Sequence, residues 1–143
     1  MSYVRIWVHV VFYTKYRKPF LNDSIRGKVF SHIIDNCREK EIYLRNVNGY
    51  FDHAHCLLSL GSEQSISKVV NLIKGESSFW INKNKLVADK FKWQNDFWAV
   101  SVSESQVERV ANYINNQEAH HSKKTFNDEL DELVSLYGFK KVD

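Results

Sequence analysis

The segment IYLRNVNGYFDHAHCLLSL, residues 42–60, holds two apolar patterns back to back. Ile42, Leu44, Val47 and Tyr50 mark a strand over 42–51, with a bulge or turn near Asn48-Gly49, and His53 to Leu60 reads as a second strand. Only Phe51-Asp52 separates them, so the pair is predicted to be a β-hairpin. On both flanks the apolar period changes from strand to helix. Val29, Phe30, Ile33, Ile34 and Cys37 predict a helix over about 24–41, and Ile66, Val69, Val70, Ile73, Trp80 and Ile81 predict one that starts after Ser65 as N-cap and runs to about 82. A strand closes each end. Residues 3–13 place Val4, Ile6, Val8, Val10 and Phe12 on one side and Arg5, Trp7, His9, Val11 and Tyr13 on the other, and Phe97 to Val102 alternate again after a polar, basic loop over Lys83–Gln94.

The order β-α-β-β-α-β predicts an α+β fold, a ferredoxin-like sandwich with a four-stranded antiparallel sheet. Right-handed crossovers put both intervening helices on one face, which leaves the opposite face open for a site. After the sheet, Ser103 and Gln106 have the spacing of a capping box, and Val107, Val110, Ala111 and Ile114 give the third helix its apolar stripe. Leu130, Leu133, Val134 and Tyr137 predict a last short helix over about 127–137, stopped by Gly138.

The 143 residues suit one domain over 1–143, with 120–143 as a helical C-terminal appendage of it. An apolar share of 43% with four Trp, seven Tyr and nine Phe is enough for a packed core. No apolar run reaches the roughly 18 residues of a membrane span, and Arg5 and His9 interrupt the N-terminal apolar stretch, so neither a membrane anchor nor a signal peptide is expected and the chain reads as cytoplasmic. Cys37 and Cys56 are too few and too far apart for a zinc knuckle or a disulfide framework and read as buried small hydrophobes. The formal charge of +3 is unevenly spread. The first 100 residues carry fifteen basic and nine acidic side chains, the last 43 five and eight, so a phosphate-bearing partner would prefer the first part.

Two patterns bear on chemistry. On a strand, His53 and His55 of Asp52-His53-Ala54-His55 project to one face about 7 Å apart, a spacing at which two imidazoles can share a metal ion. In a chain with six histidines such a pair also arises by chance. Tyr113 and Gln117 are one helical turn apart and flank the apolar stripe of the third helix, so they can reach the same point. A phenol with an ordinary pKa near 10 becomes a nucleophile toward phosphorus only when an ion or a base helps to remove its proton. The same spacing fits a tyrosine at the core border and a solvated glutamine, and residue pattern alone does not choose.

Taken together, His53-Ala54-His55, the later Tyr113-Ile114-Asn115-Asn116-Gln117, the run from Val8 to Arg17, Trp93-Gln94 ahead of Ser101-Val102-Ser103, and Thr125-Phe126 resemble the single-tyrosine transposases of the HUH nuclease superfamily. These are the insertion-sequence enzymes that move single-stranded DNA, with their repeat-associated relatives. The resemblance covers nearly the whole chain. It implies a divalent cation on His53 and His55 with Gln117 as third ligand, and Tyr113 as the nucleophile that leaves a 5′-phosphotyrosine and a free 3′-hydroxyl. It also implies imperfect DNA hairpins as substrate and a homodimer in which the tyrosine helix acts within its own chain or in its partner's site. The small Ala54 departs from many relatives, which carry a bulky aliphatic there. By family habit and abundance the ion is Mg²⁺, although two imidazoles and an amide suit Mn²⁺ well.

Arg5, Lys15, Arg17, Lys18 and Lys74, with Tyr16 among them, are candidates for contact with DNA, because single-strand binders combine basic tracks with aromatic surfaces. Lys68, Lys83 and Lys85 are further cations of that kind, and each also fits an ordinary solvated lysine. Asp52 and His120 are candidates to orient a ligand histidine and to approach the phosphate, respectively. His9 fits either a DNA or interface contact or a place beside a packed Trp7–Tyr13 pair. Two other readings compete: a non-catalytic or domesticated hairpin-binding protein of the same fold, and a zinc hydrolase. The second lacks an H-E-x-x-H motif or longer ligand cluster.

Overall fold

The computed structural model describes residues 2–121, with backbone only at His120 and His121, together with Asp128, Glu129, Asp131, Leu133 and Tyr137. Its elements are β1 (Ile6–Tyr13), α1 (Arg26–Glu39), β2 (Tyr43–Gly49), β3 (His53–Leu60), α2 (Ile66–Lys83), β4 (Trp98–Val102), α3 (Val107–Asn115) and α4 (Gln117–His121). The four strands form one sheet in the order β2-β3-β1-β4, with every neighbouring pair antiparallel. This is the expected ferredoxin-like α+β arrangement. Of the C-terminal appendage over 120–143, most lies outside the described residues; the five described beyond His121 are helical.

One sheet face carries the apolar core. Val8, Val10 and Phe12 of β1 and Ala54, Cys56 and Leu58 of β3 pack against Val29, Phe30 and Ile33 of α1 and Val69, Val70, Ile73 and Ile81 of α2. Ser65 caps α2 by accepting a hydrogen bond from the Lys68 backbone N–H at 3.2 Å. The connection from α2 to β4 forms no regular element over most of its length, yet it is not merely polar. Phe91 and Trp93 are buried, Trp93 packs edge-on against Phe12 at 4.8 Å and donates its indole N–H to Ser77 Oγ at 2.9 Å, and its backbone bridges to Thr14.

The other face is not open. Trp7, Leu57 and Val102 are covered by Val107, Val110, Ala111 and Ile114 of α3, and Val11 packs against Leu133. The stripe that the third helix presents is an interface, because leaving it in water would expose apolar area worth about 25 cal/mol per Å². Two local expectations also change. The bulge in β2 falls between Leu44 and Asn46, not at Asn48-Gly49. Gly49 continues the ladder opposite Ala54, where a Cβ would stand 2.1 Å from the His53 carbonyl oxygen and 2.9 Å from Ala54 Cα. Ser103 forms no cap; its hydroxyl meets that of Ser105, and a short 3₁₀ turn over Glu104–Gln106 leads into α3.

Candidate active site

His53 and His55 both lie on β3, and the alternation of a strand points both rings to the α3 side, with centroids 5.2 Å apart. Both are fully buried. The outer ring nitrogen of each is already engaged. His53 Nδ1 meets Asp52 Oδ1 at 2.8 Å and His55 Nδ1 meets His9 Nε2 at 2.9 Å. With Nδ1–H donating to Asp52, His53 keeps its Nε2 lone pair for the inside of the site. His55 does the same when it donates to His9. That requires His9 to be neutral, and burial, followed by the neighbouring His55, pushes His9 down to about 3, against the opposing pull of Glu129.

Sequence reading missed His9 in this role, and it missed Glu129 altogether. His9 reaches His55 because β1 and β3 pair with His9 opposite Leu57 and Val11 opposite His55, so the two rings sit diagonally on the same face. They stack with centroids 5.1 Å apart. Glu129 comes from the acidic C-terminal part and is fully buried, with Oε1 2.5 Å from His55 Nε2 and 4.0 Å from His53 Nε2. One ligand atom each from His53, His55 and Glu129 lie within 4.8 Å of one another.

Gln117 arrives by a different route from the one its spacing implies. The helix breaks at Asn116, and Gln117 opens α4 with its amide nitrogen donating to the Tyr113 carbonyl at 3.3 Å and its Oε1 3.3 Å from His53 Nε2. Arg26 holds this corner. Buried at the start of α1, it pairs with Glu118 and Asp23, each at 2.8 Å, donates to the Leu21 carbonyl, and lies over the rings of Tyr50 and Phe51 at the hairpin tip. The guanidinium therefore ties the turn carrying Gln117 to the hairpin carrying His53.

Two imidazole nitrogens, an amide oxygen and a carboxylate thus converge at a buried point, and this donor set fits a divalent cation. Tyr113, half-buried, presents its ring edge-on to His55 at 5.7 Å and to His9 at 6.2 Å. The phenol and the histidine cluster are therefore neighbours within one chain.

The expected cations divide by position. Lys15, Arg17 and Lys18 sit on the turn after β1, at the end of the sheet where Tyr13 pairs with His53. That turn is fastened by the Thr14 backbone N–H to the Asp52 carbonyl at 2.8 Å and by Lys15 N–H to the Lys92 carbonyl at 2.9 Å. Arg5 lies beyond the opposite end of β1, engaged with Glu104 at 3.1 Å. Trp7 donates to the same carboxylate and packs on Tyr43 rather than Tyr13. Lys74 is buried on α2, giving its ammonium to the carbonyls of Asn95 and Asp96; it fastens the approach to β4 on the face away from the histidines, so it is not placed to meet DNA at this site. The His120 side chain lies outside the described residues.

Comparison with known proteins follows the same outline. Residues 2–117 match the family model described as "Transposase IS200 like". The transposases for insertion sequence element IS200 of Salmonella typhimurium LT2 and of Salmonella typhi are each 29% identical over 115 residues, 76% of this chain and 74% of the relative. The crystal structure of a candidate transposase from Deinococcus radiodurans R1 superposes with a TM-score of 0.66 at 23% identity, over 82% of this chain and 95% of that one. A REP-associated tyrosine transposase, solved bound to a REP hairpin, gives 0.60 at 17% identity, over 85% and 72%. At these identities the structural likeness carries the fold.

Proposed function

The chain belongs to the IS200-like transposase family, and from that premise we propose that it cleaves and rejoins single-stranded DNA at hairpin-marked ends through a 5′-phosphotyrosine on Tyr113. The observation that supports this reading most is the shared point of approach: the Tyr113 ring lies against His55 in the chain that also gathers His53, Gln117 and Glu129. A divalent cation, Mg²⁺ or Mn²⁺, held by His53, His55, Gln117 and Glu129 supplies Lewis-acid polarisation of the scissile phosphodiester.

The chain's own groups do the rest. Asp52 and His9 orient the two ligand rings, Arg26 holds the corner that presents Gln117, and the apolar stripe of α3 fixes Tyr113 at the site's edge. Tyr113 Oη attacks phosphorus as its proton leaves. The P–O3′ bond breaks, the departing strand takes up a proton as a 3′-hydroxyl, and the 5′ side stays as a phosphotyrosine. Because the phosphodiester is exchanged for another phosphate ester of similar energy, a 3′-hydroxyl can reverse the step and join strands with no nucleotide consumed. Lys15, Arg17 and Lys18, on the turn stitched to Asp52, lead the backbone of the strand toward the histidines. A homodimer provides the second site that two DNA ends need, and the cytoplasm is where the chain meets them. No helix among the described residues is long and apolar enough to cross a membrane.

The test is direct. Protein, Mg²⁺ or Mn²⁺ and a hairpin-bearing single strand are expected to give a DNA–protein adduct that survives SDS, and Tyr113→Phe abolishes it while the circular dichroism is unchanged. Hairpin binding with no adduct under any divalent ion would instead identify a non-catalytic binder of the same fold.

A further inference from the structure

Beside α3, next to the histidine cluster, the described residues line a cavity of about 340 Å³. Val102, Val110 and Leu133 supply its apolar wall, Tyr113 and Tyr137 its aromatic one, and Gln106 and Arg109 its polar side. The volume is that of a small-ligand pocket, and the lining is one that suits a flat heteroaromatic ring. The apolar and phenolic surfaces take its faces, while a primary amide offers its edge both a donor and an acceptor.

The electrostatics point the same way. Arg109 is exposed and stands one helical turn before Tyr113, so the guanidinium and the phenol lie on the same flank of α3. The acidic neighbours on this stretch are committed elsewhere, Glu104 to Arg5 and Trp7, Glu108 to Arg45 at 2.6 Å. No carboxylate among the described residues pairs with Arg109, which leaves its charge for an anion.

We propose that this cavity receives the base of a nucleotide flanking the phosphodiester that Tyr113 attacks, with Arg109 on the neighbouring phosphate, so that the protein itself reads a base at the cleavage point. The proposal rests on the cleavage reading above. Tyr113 and Tyr137 join cavity and cluster: both line the cavity, Tyr113 meets His55 at 5.7 Å and Tyr137 meets His9 at 6.1 Å, so a strand positioned for attack at the Tyr113 phenol has an adjoining nucleotide beside the cavity.

Two measurements test it apart from the chemistry. Metal-free protein with labelled Val and Leu methyl groups is titrated with a single-stranded tetranucleotide and with versions abasic at each position in turn. The Val102, Val110 and Leu133 methyl resonances are expected to shift with the intact strand, and one abasic position is expected to weaken binding by about tenfold or more. In parallel, adduct formation is followed on strands varied at the two bases flanking the cleaved phosphate. Wild-type protein should prefer one base at one of them, Gln106→Ala should flatten that preference, and Arg109→Gln should weaken binding to all strands and reduce its salt dependence. Methyl resonances that do not move, or adduct yields within twofold for all four bases and the abasic strand, would overturn the proposal. Shifts that follow protein concentration instead of oligonucleotide would assign the cavity to self-association and overturn it too. Shifts without any adduct would keep the cavity as a base site and remove the cleavage reading; adducts without base dependence would do the reverse.

Discussion

The two faces of the sheet are built from the same strands and serve opposite ends. Toward α1 and α2, β1 and β3 present Val8, Val10, Phe12, Ala54, Cys56 and Leu58, an apolar layer. Toward α3 the same two strands present His9, His53 and His55, and Gln117 and Glu129 close over them, all five nearly or fully buried. Apolar burial stabilises the first face; the second buries polar groups whose desolvation costs free energy unless each finds a partner. The first face therefore supplies the stability that lets the second hold a costly arrangement in place.

Substitutions can separate the two roles. The largest effect is expected at Tyr113→Phe, where adduct yield on an SDS gel falls by at least about a thousandfold while the urea midpoint moves little. A comparable loss of stability would mean that Tyr113 belongs to the packing and not to the chemistry. On the opposite face, Phe12→Ala should lower unfolding free energy by about 3–5 kcal/mol, read from urea denaturation. A loss under 1 kcal/mol there would erase the contrast between the faces. At Glu129→Gln the order reverses. Metal-free stability changes by less than about 1–2 kcal/mol, because a buried charge is removed along with its contacts, whereas the rise in melting temperature expected on adding Mn²⁺ to the wild-type protein shrinks with a drop of about 10–100-fold in affinity. An unchanged Mn²⁺ response would take Glu129 out of the ligand set.

Gly49→Ala probes the seam between the faces. Its Cβ would collide with the backbone of His53 and Ala54, so a loss of about 1–3 kcal/mol should come with weaker metal binding as the hairpin shifts. The smallest effect is alkaline. Burial, with Glu76 adding to it, pushes the Cys37 thiol up to about 11, and burial pushes Cys56 higher still, both from an ordinary 9.0. Folded protein keeps these protons where unfolded chain loses them. Their contribution to stability is intact below pH 9 and declines as pH rises from 9 toward 11. Urea midpoints should fall across that window, and native thiols should resist alkylation at pH 8.

Much of this was legible from spacing because spacing is local. The period-two run over 53–60 placed both histidines on one face, and the stripes Val29–Cys37 and Val69–Ile81 placed two helices on the other. Tyr113 was assigned by resemblance, and the chain's geometry supplies its neighbour His55. What stayed hidden was anything carried by long-range contact. Glu129 sits in an acidic segment of the sequence, yet it is buried against His55, and Leu133 of the same stretch packs on Val11. His9 had the right face but no partner until β1 and β3 paired. Lys74 resembled any exposed lysine until α2 buried it against the Asn95 and Asp96 carbonyls. Gln117 sits near His53 through a helix break at Asn116 that no propensity signalled.

The sequence by itself determined the element order, the antiparallel ferredoxin-like class and the pairing of two histidines on one strand face, because these follow from side-chain period and from the few connections a right-handed chain allows. Only the tertiary structure decided that the second face is covered, that a C-terminal carboxylate and a strand-one imidazole join the cluster, and that a cavity adjoins the tyrosine. Those features depend on which distant segments meet, and that is settled by the register of the sheet and the burial of one more apolar stripe.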